Sequence, residues 1–293
     1  MDNICIGTAQ LGMDYGVANK TGQPGKPEIR KVVKAALDNG LCFFDTAASY
    51  GQSESILGEI FSDLKMNQQV NVITKLPPIF VFEGIDSLRQ ALAQSLERLC
   101  VETLWGVMLH RTGMELNQEF SRALAQLKNE GILRHFGVSI YSPEDALAYA
   151  GHETVDMIQV PFNIMDRRLL DNKFFEVAQS KNKAVFIRSI FLQGLLLMDE
   201  SAIREKKMDW TIPFLREFHS YMKNRNLDAK AFMIHAISRK FPWAKLVIGM
   251  ENHDQLMENI TLMQENNIPD SCFEGWWAGL PAVPERLVNP ALW

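Results

Sequence analysis

Phe43-Phe44-Asp45-Thr46-Ala47-Ala48-Ser49-Tyr50-Gly51 carries an apolar strand straight into an acid, then small polar residues, then a tyrosine followed by glycine. Residues 41–44 have the short, continuously apolar character of a strand buried on both faces, and Asp45 is the first charge after them. A carboxylate at that point must be paired or stand at the mouth of a cavity. Taken alone, the stretch has a second reading in which Asp45 caps the next helix and Tyr50 is an edge aromatic. Two later residues favour the first reading. Lys75 closes the apolar strand Val70-Asn71-Val72-Ile73-Thr74-Lys75, and His110 closes Leu104-Trp105-Gly106-Val107-Met108-Leu109-His110. Three successive strands therefore each end in an ionisable side chain, and in a parallel barrel such ends converge on one rim.

The beat of strand then helix recurs along the chain. Strands are expected at residues 4–9, 41–44, 70–75, 104–110, 136–139, 155–160, 184–188 and 246–249, with helices at 27–37, 54–64, 85–100, 118–130, from Ser142 to near Gly151, 167–180 and 255–263. A longer excursion over 189–243 has room for helical turns at 212–225 and 229–239. This alternation implies parallel strands joined by right-handed crossovers, and eight units favour an α/β class (α/β)8 TIM barrel, one domain over residues 1–293. The loop after the first strand is rich in turn formers over 15–24 and follows a strand end, so it should border the pocket.

These residues, in order, resemble the aldo-keto reductases. The resemblance rests on Gly7-Thr8-Ala9-Gln10-Leu11-Gly12, on Phe44-Asp45-Thr46-Ala47 with Tyr50-Gly51, Ser53-Glu54 and Leu57-Gly58, then on Lys75, His110, Gly137-Val138-Ser139, Gln159 and Glu258-Asn259. It covers almost the whole chain and implies that Asp45, Tyr50, Lys75 and His110 fill the family's catalytic tetrad. It also implies a nicotinamide cofactor, NAD(P)H, on the barrel's rim, and a C-terminal tail (269–293, with Trp276, Trp277, Pro281, Pro284, Pro290 and Trp293) that crosses the mouth. The alternative for the tail is a plug on the outer wall.

Carbonyl reduction needs a hydride donor, a proton donor on the carbonyl oxygen, and stabilisation of the charge growing there. Tyr50 is the proton-donor candidate; Lys75 should favour its phenolate, Asp45 should hold the lysine, and His110 should orient and polarise the carbonyl. For the cofactor, Thr8 lies on the first strand, and Ser139, Gln159 and Asn163 suit a carboxamide, although Ile140 replaces the asparagine that commonly follows the serine. Arg188 stands where relatives carry the ring that stacks on nicotinamide, and Ser189, Phe191, Gln193 and Gly194 would follow the pyrophosphate. The other reading of Arg188 is an ion pair with Asp45 or a nearby carboxylate. Anchored at Glu258-Asn259, the segment 247–259 resembles the family's adenosine-phosphate loop, but Gly249, Glu251 and Gln255 occupy the places where basic residues usually hold a 2'-phosphate. Glu251 would repel that phosphate and accept from a ribose hydroxyl, so NADH is favoured over NADPH unless Lys245 or Arg239 supplies the charge.

The substrate implied is a small-molecule aldehyde, ketone or sugar carbonyl, and the seven-residue link after His110, short where many relatives insert a long loop, implies a wide pocket that accepts a polar sugar or sugar nucleotide. Two rival readings are a cofactor-binding regulatory subunit with little turnover and a barrel enzyme without redox chemistry. Net charge of -5 gives no footprint for nucleic acid or an anionic membrane surface. With 47% hydrophobic and 22% charged residues the composition is that of a globular chain. No apolar run is long enough to span a bilayer, and residues 1–7 lack a signal peptide's basic segment, so a cytoplasmic location is expected. Cys5, Cys42, Cys100 and Cys272 show no metal-type spacing and read as buried free thiols; His-Glu-x-x-His, a P-loop, Gly-x-Ser-x-Gly and a Rossmann glycine pattern are all missing. No metal is expected, and the oligomeric state is left open.

Overall fold

A computed structural model describes residues 3–265, 267–280 and 282–293. Pro281, one of the tail prolines, and the first two residues of the N-terminal segment lie outside the described residues. Eight strands close a parallel barrel in sequence order: β1 Ile4–Gly7, β2 Phe43–Asp45, β3 Asn71–Lys75, β4 Leu104–Leu109, β5 Leu133–Ser139, β6 Met157–Pro161, β7 Ala184–Arg188 and β8 Lys245–Gly249, with β8 back against β1. Helices follow most strands and cover the outside, so the strands are buried on both faces and read as unbroken apolar runs. Helix Ile85–Leu99 shows how a covering helix is held: Leu88, Leu92 and Leu99 fall on one face and are fully buried, each worth about 1.5–3 kcal/mol relative to exposure.

The barrel's interior explains where the chemistry lies. Cys5, Phe43, Ile73, Met108, Met157, Phe186 and Val247 form a small cluster inside the barrel, separate from the larger core between strands and helices. Side chains alternate along a strand, so the residue two positions on from each points inward again, one layer nearer the C-terminal ends. Those residues are Gly7, Asp45, Lys75, His110, Gln159, Arg188 and Gly249. The polar side chains named from the sequence thus share one layer because the pleat places them there.

Some boundaries differ from expectation. β1 stops at Gly7, since Ala9–Gly12 turns into a short helix, and β4 stops at Leu109, leaving His110 in the bend beyond it. The helix expected over 167–180 is two pieces, Arg168–Asp171 and Phe174–Ser180. Asn172 Oδ1 accepts the Phe174 amide while Asn172 Nδ2 donates to Pro143 O, and Lys173 takes φ 62°, so a local turn replaces the helical hydrogen bonds. Of the four free thiols only Cys5 is fully buried; Cys100 is exposed because it is the left-handed residue (φ 53°) ending helix Ile85–Leu99.

The excursion after β7 contains Glu200–Glu205, Ile212–Asn224 and Ala229–Lys240. The tail combines both of its expected placements. Trp276 packs edge-on to Phe218 and Tyr221 and donates from Nε1 to Ile164 O, and Trp277 stacks on Phe162, which pins helix Asp270–Gly279 to the wall. Farther on, Val288 to Ala291 reach the rim beside Arg188, Ser189 and Gln193. Among the described residues no helix is long and apolar enough to cross a membrane.

Candidate active site

Asp45 and Lys75 end adjacent strands, and their side chains meet inside the barrel. Lys75 Nζ donates to Asp45 Oδ1 at 2.7 Å and to Thr46 O at 3.0 Å, and both side chains are almost wholly buried. Gln159 Nε2 also donates to Asp45 Oδ1, at 2.8 Å, and Ser139 Oγ donates to Gln159 Oε1 at 3.4 Å. A buried carboxylate is costly unless paired and hydrogen-bonded, and here one ammonium and one amide satisfy it.

Tyr50 lies above this pair, with Lys75 Nζ 4.9 Å from the ring centroid and the His110 ring edge-on at 5.9 Å. Its loop is set by two glycines in contact. A side chain on Gly12 would come 2.1 Å from Tyr50 O, and Gly51, at φ 54°, carries the turn back against Gly12 O. Only glycine accepts both the left-handed backbone and the close approach. His110 Nδ1 is 3.2 Å from Ser49 Oγ.

The electrostatics differ from expectation in one respect. Burial works against the Lys75 charge, but Asp45 and then Tyr50 outweigh it, so the amine's pKa stands above the ordinary lysine value. Burial also pushes the Tyr50 phenol up, and more strongly than Lys75 draws it down. The lysine therefore limits the rise in the phenol's pKa rather than creating a phenolate, and Tyr50 holds its proton at neutral pH. Burial, and after it the positive charge of Lys75, lower His110 from 6.5 to about 4, leaving a neutral ring.

That depressed value has a consequence for stability. The unfolded chain protonates His110 near pH 6.5, the folded one only near 4, so the contribution of the neutral ring is present above the first value and is lost as pH falls toward the second. Urea midpoints at about pH 4.5 and about pH 7.5 should lie farther apart in the wild type than in His110→Gln. Equal gaps would show that His110 is not a source of the acid sensitivity.

A cleft of about 710 Å³ runs away from Asp45 and Tyr50. It passes Thr8, Arg188, Ser189, Phe191, Gln193 and Gly194, and ends among Gly249, Glu251, Gln255, Glu258 and Asn259. Lys75, His110, Ser139 and Gln159 are not part of its lining. Ser189, Leu192 and Gln193 have φ of 65°, 50° and 55°, a run of left-handed backbone unusual for these residues. Arg188 makes no ion pair with Asp45, whose partner is Lys75. Its guanidinium lies 4.5 Å over the Tyr141 ring and donates to Ile140 O (3.1 Å) and Ser189 Oγ (3.3 Å). Asn163 Oδ1 accepts from the Met165 amide, while its Nδ2, like Asn259 Oδ1, is buried with no partner.

Neither basic residue offered as an alternative charge source is available near Glu251. Arg239 pairs with Asp270 and lies over Phe273, and Lys245, at the start of β8, lies over Phe43 at the opposite end of the barrel. Sequence reasoning missed Lys230, which borders the cleft and pairs with Glu258, and Asp228, which also borders it and caps helix Ala229–Lys240. An aspartate preceding an apolar helical run is an N-cap signal, and it could have marked that helix start. His219 and His235 sit against backbone carbonyls, and no group of three or more His, Cys, Asp or Glu among the described residues is placed to hold a metal.

An eight-stranded parallel barrel whose rim gathers an ion-paired lysine, a tyrosine and a histidine at one end of a long cleft defines a class of barrel oxidoreductases. The model of the Aldo/keto reductase family matches residues 3–276, and the chain belongs to that family. It is 25% identical over 291 residues to a D-arabinose 1-dehydrogenase of Saccharomyces cerevisiae, covering 90% of this chain and 84% of the relative. It is 33% identical over 138 residues to a 6-dehydroglucose reductase of Novosphingobium aromaticivorans, a match covering 43% of this chain and less than half, 45%, of that relative. The fold is that of the holo form of an aldo-keto reductase from Bacillus halodurans, with TM-score 0.76, 18% identity and coverage of 97% and 94% of the two chains. Members of the family are oxidoreductases that act on carbonyl compounds with nicotinamide cofactors.

Proposed function

We propose that the chain, folded as one barrel domain over residues 1–293, reduces an aldehyde, ketone or sugar carbonyl, with Tyr50 as proton donor and NADH as the preferred cofactor. The observation that carries the reading is the buried Lys75–Asp45 pair directly beneath Tyr50 at the end of the cleft. The residues present fit a nicotinamide dinucleotide: Asn259 offers a buried acceptor with no partner beside the cleft, and the left-handed backbone at Ser189 and Gln193 borders its middle. Thr8, Ser139, Gln159, Arg188, Ser189, Phe191, Gln193, Gly194, Gly249, Glu251, Gln255, Glu258 and Asn259 are the residues we assign to it. A reduced nicotinamide bound there supplies hydride to the carbonyl carbon. Tyr50 Oη gives its proton to the carbonyl oxygen as that carbon is reduced. Lys75 stabilises the phenolate left behind, and Asp45 keeps the lysine charged and in place. His110, whose ring stays neutral above about pH 4, donates a hydrogen bond to the same oxygen from its one N–H.

The preference for NADH rests on charge. Glu251 borders the far end of the cleft, where Gln255 Oε1 accepts its amide, and Lys230 is already engaged by Glu258. A 2'-phosphate would meet Glu251 without an arginine fork, Lys20 being the cleft's other lysine, whereas a ribose hydroxyl donates to Glu251. Fluorescence titration should give NADH at least about tenfold tighter than NADPH, and Glu251→Arg should reverse or erase that gap. A tenfold preference for NADPH in the wild type would contradict the assignment. The reading as a whole is tested by oxidation of each reduced cofactor with a panel of aldehydes and keto sugars; binding of cofactor without turnover of any would favour a regulatory subunit.

A further inference from the structure

The charges around the reacting end of the cleft do not balance. Asp45 is neutralised by Lys75, and the His110 ring is neutral, so neither contributes net charge. Arg188, in the same inward layer, has only neutral partners: the Ile140 carbonyl, the Ser189 hydroxyl and the face of Tyr141. No carboxylate among the described residues pairs with it. Two of its five N–H groups are used in those bonds, and the guanidinium is held flat by the ring it covers.

Arg188 also lies on a second cavity of about 220 Å³, which shares Tyr15, Arg188, Ser189 and Gln193 with the cleft and is closed by Asn289 and Pro290 of the tail. The other cation on this cavity, Arg168, is already spent: it holds Asp166 through Nε (2.9 Å) and Nη2 (2.8 Å) and Glu285 through Nη1 (3.2 Å). The volume is that of about seven waters, enough for a carboxylate or phosphate with a short stem. A half-buried guanidinium with neutral partners only is a receptor for an oxyanion, which it binds through two parallel N–H groups.

We propose that Arg188, assigned above to the cofactor through the cleft, also turns N–H groups to this second cavity, and that the two form a subsite for an anionic group, a carboxylate or a phosphate, carried by the carbonyl substrate. The inference rests on the reductase reading above and narrows its substrates to acidic carbonyl compounds, such as semialdehyde acids or phosphorylated sugars. Hydroxyls of Ser189 and Tyr15 border the same cavity and supply neutral donors to the oxyanion.

The test compares matched substrates by kcat/KM: succinic semialdehyde against butanal for the carboxylate, and glyceraldehyde 3-phosphate against glyceraldehyde for the phosphate. The wild type should favour the acidic member of at least one pair by about tenfold to a hundredfold, the worth of a charged hydrogen-bonded contact, and the pair with the larger ratio identifies the oxyanion. In Arg188→Met the ratio should fall close to one, whatever happens to the absolute rate, and Arg188→Lys should keep part of it. Equal rates within both pairs in the wild type, or an unchanged ratio in Arg188→Met, would overturn the subsite. Calorimetric titration with succinate and with glycerol 3-phosphate gives a readout free of turnover. Binding that disappears in Arg188→Met supports the subsite even if no aldehyde is reduced, in which case the reductase reading alone fails; no binding of either anion to the wild type counts against the subsite alone.

Discussion

Tyr50→Phe is expected to lower kcat by about a hundredfold or more and to leave cofactor affinity near the wild-type value, because general acid catalysis is worth that much and only one hydroxyl is removed. The ring keeps its edge contact with His110 and its place over the Lys75 ammonium. The backbone of its loop is fixed by Gly12 and Gly51 rather than by the hydroxyl, so the fold should be undisturbed. A phenol buried and held above its ordinary pKa is protonated at neutral pH, which is the state a proton donor requires. Steady-state turnover beside fluorescence titration of the cofactor separates the two effects. A variant that turns over within a few-fold of the wild type would remove Tyr50 from the role.

Lys75→Met should be costly in two separable ways. It leaves Asp45 buried with a single remaining donor, Gln159 Nε2 at 2.8 Å, and breaking a buried pair from one side costs about 3–5 kcal/mol. It also removes the largest force drawing the phenol's pKa down, ahead of the weaker pull of Arg188, so the rate should fall and the alkaline limb of the pH profile should move up. In the wild type the raised Lys75 value adds stability that is complete below about pH 10.4, the unfolded lysine's pKa, and that disappears as pH climbs through the folded value. The double variant Lys75→Met/Asp45→Asn should regain part of the lost stability, since no charge is then left unpaired, without regaining turnover. Urea denaturation that shows no loss in Lys75→Met would mean that the pair is not the buried, mutually dependent unit described here.

What could be read from residues alone was whatever local pattern decides. The apolar runs that end at Asp45 and Lys75 are strands buried on both faces, and the period of two along them carries both side chains inward. Glu251, Glu258 and Asn259, which line the cleft's far end, were legible through the resemblance of segment 247–259 to the family's adenosine-phosphate loop rather than through local pattern. Contacts between distant segments were not legible. Besides the adjacent Ser189, the partners of Arg188 are Ile140, 48 positions away, which offers a carbonyl, and Tyr141 beside it, which offers a face, and nothing near Arg188 in the chain announces those two. The engagement of Lys230 by Glu258 was hidden for the same reason. The direction of the Tyr50 shift was misjudged because it is a balance between burial and nearby charges, Lys75 first among the cations, and burial depends on the loop that closes over the ring. The break at Asn172 follows from a side-chain bond to Pro143 O across the chain, which helical spacing does not register.

Hydride transfer to a carbonyl carbon beside Tyr50 can be tested by following the hydride itself. The wild-type protein is incubated with NADH carrying deuterium at the transferred position and with a panel of acidic and neutral aldehydes, and the alcohols are examined by NMR. Deuterium on the carbinol carbon of at least one product, formed about a hundredfold or more slowly by Tyr50→Phe, is the result predicted. Cofactor that binds but leaves every aldehyde unreduced, or product formed at equal rates by both proteins, would contradict it.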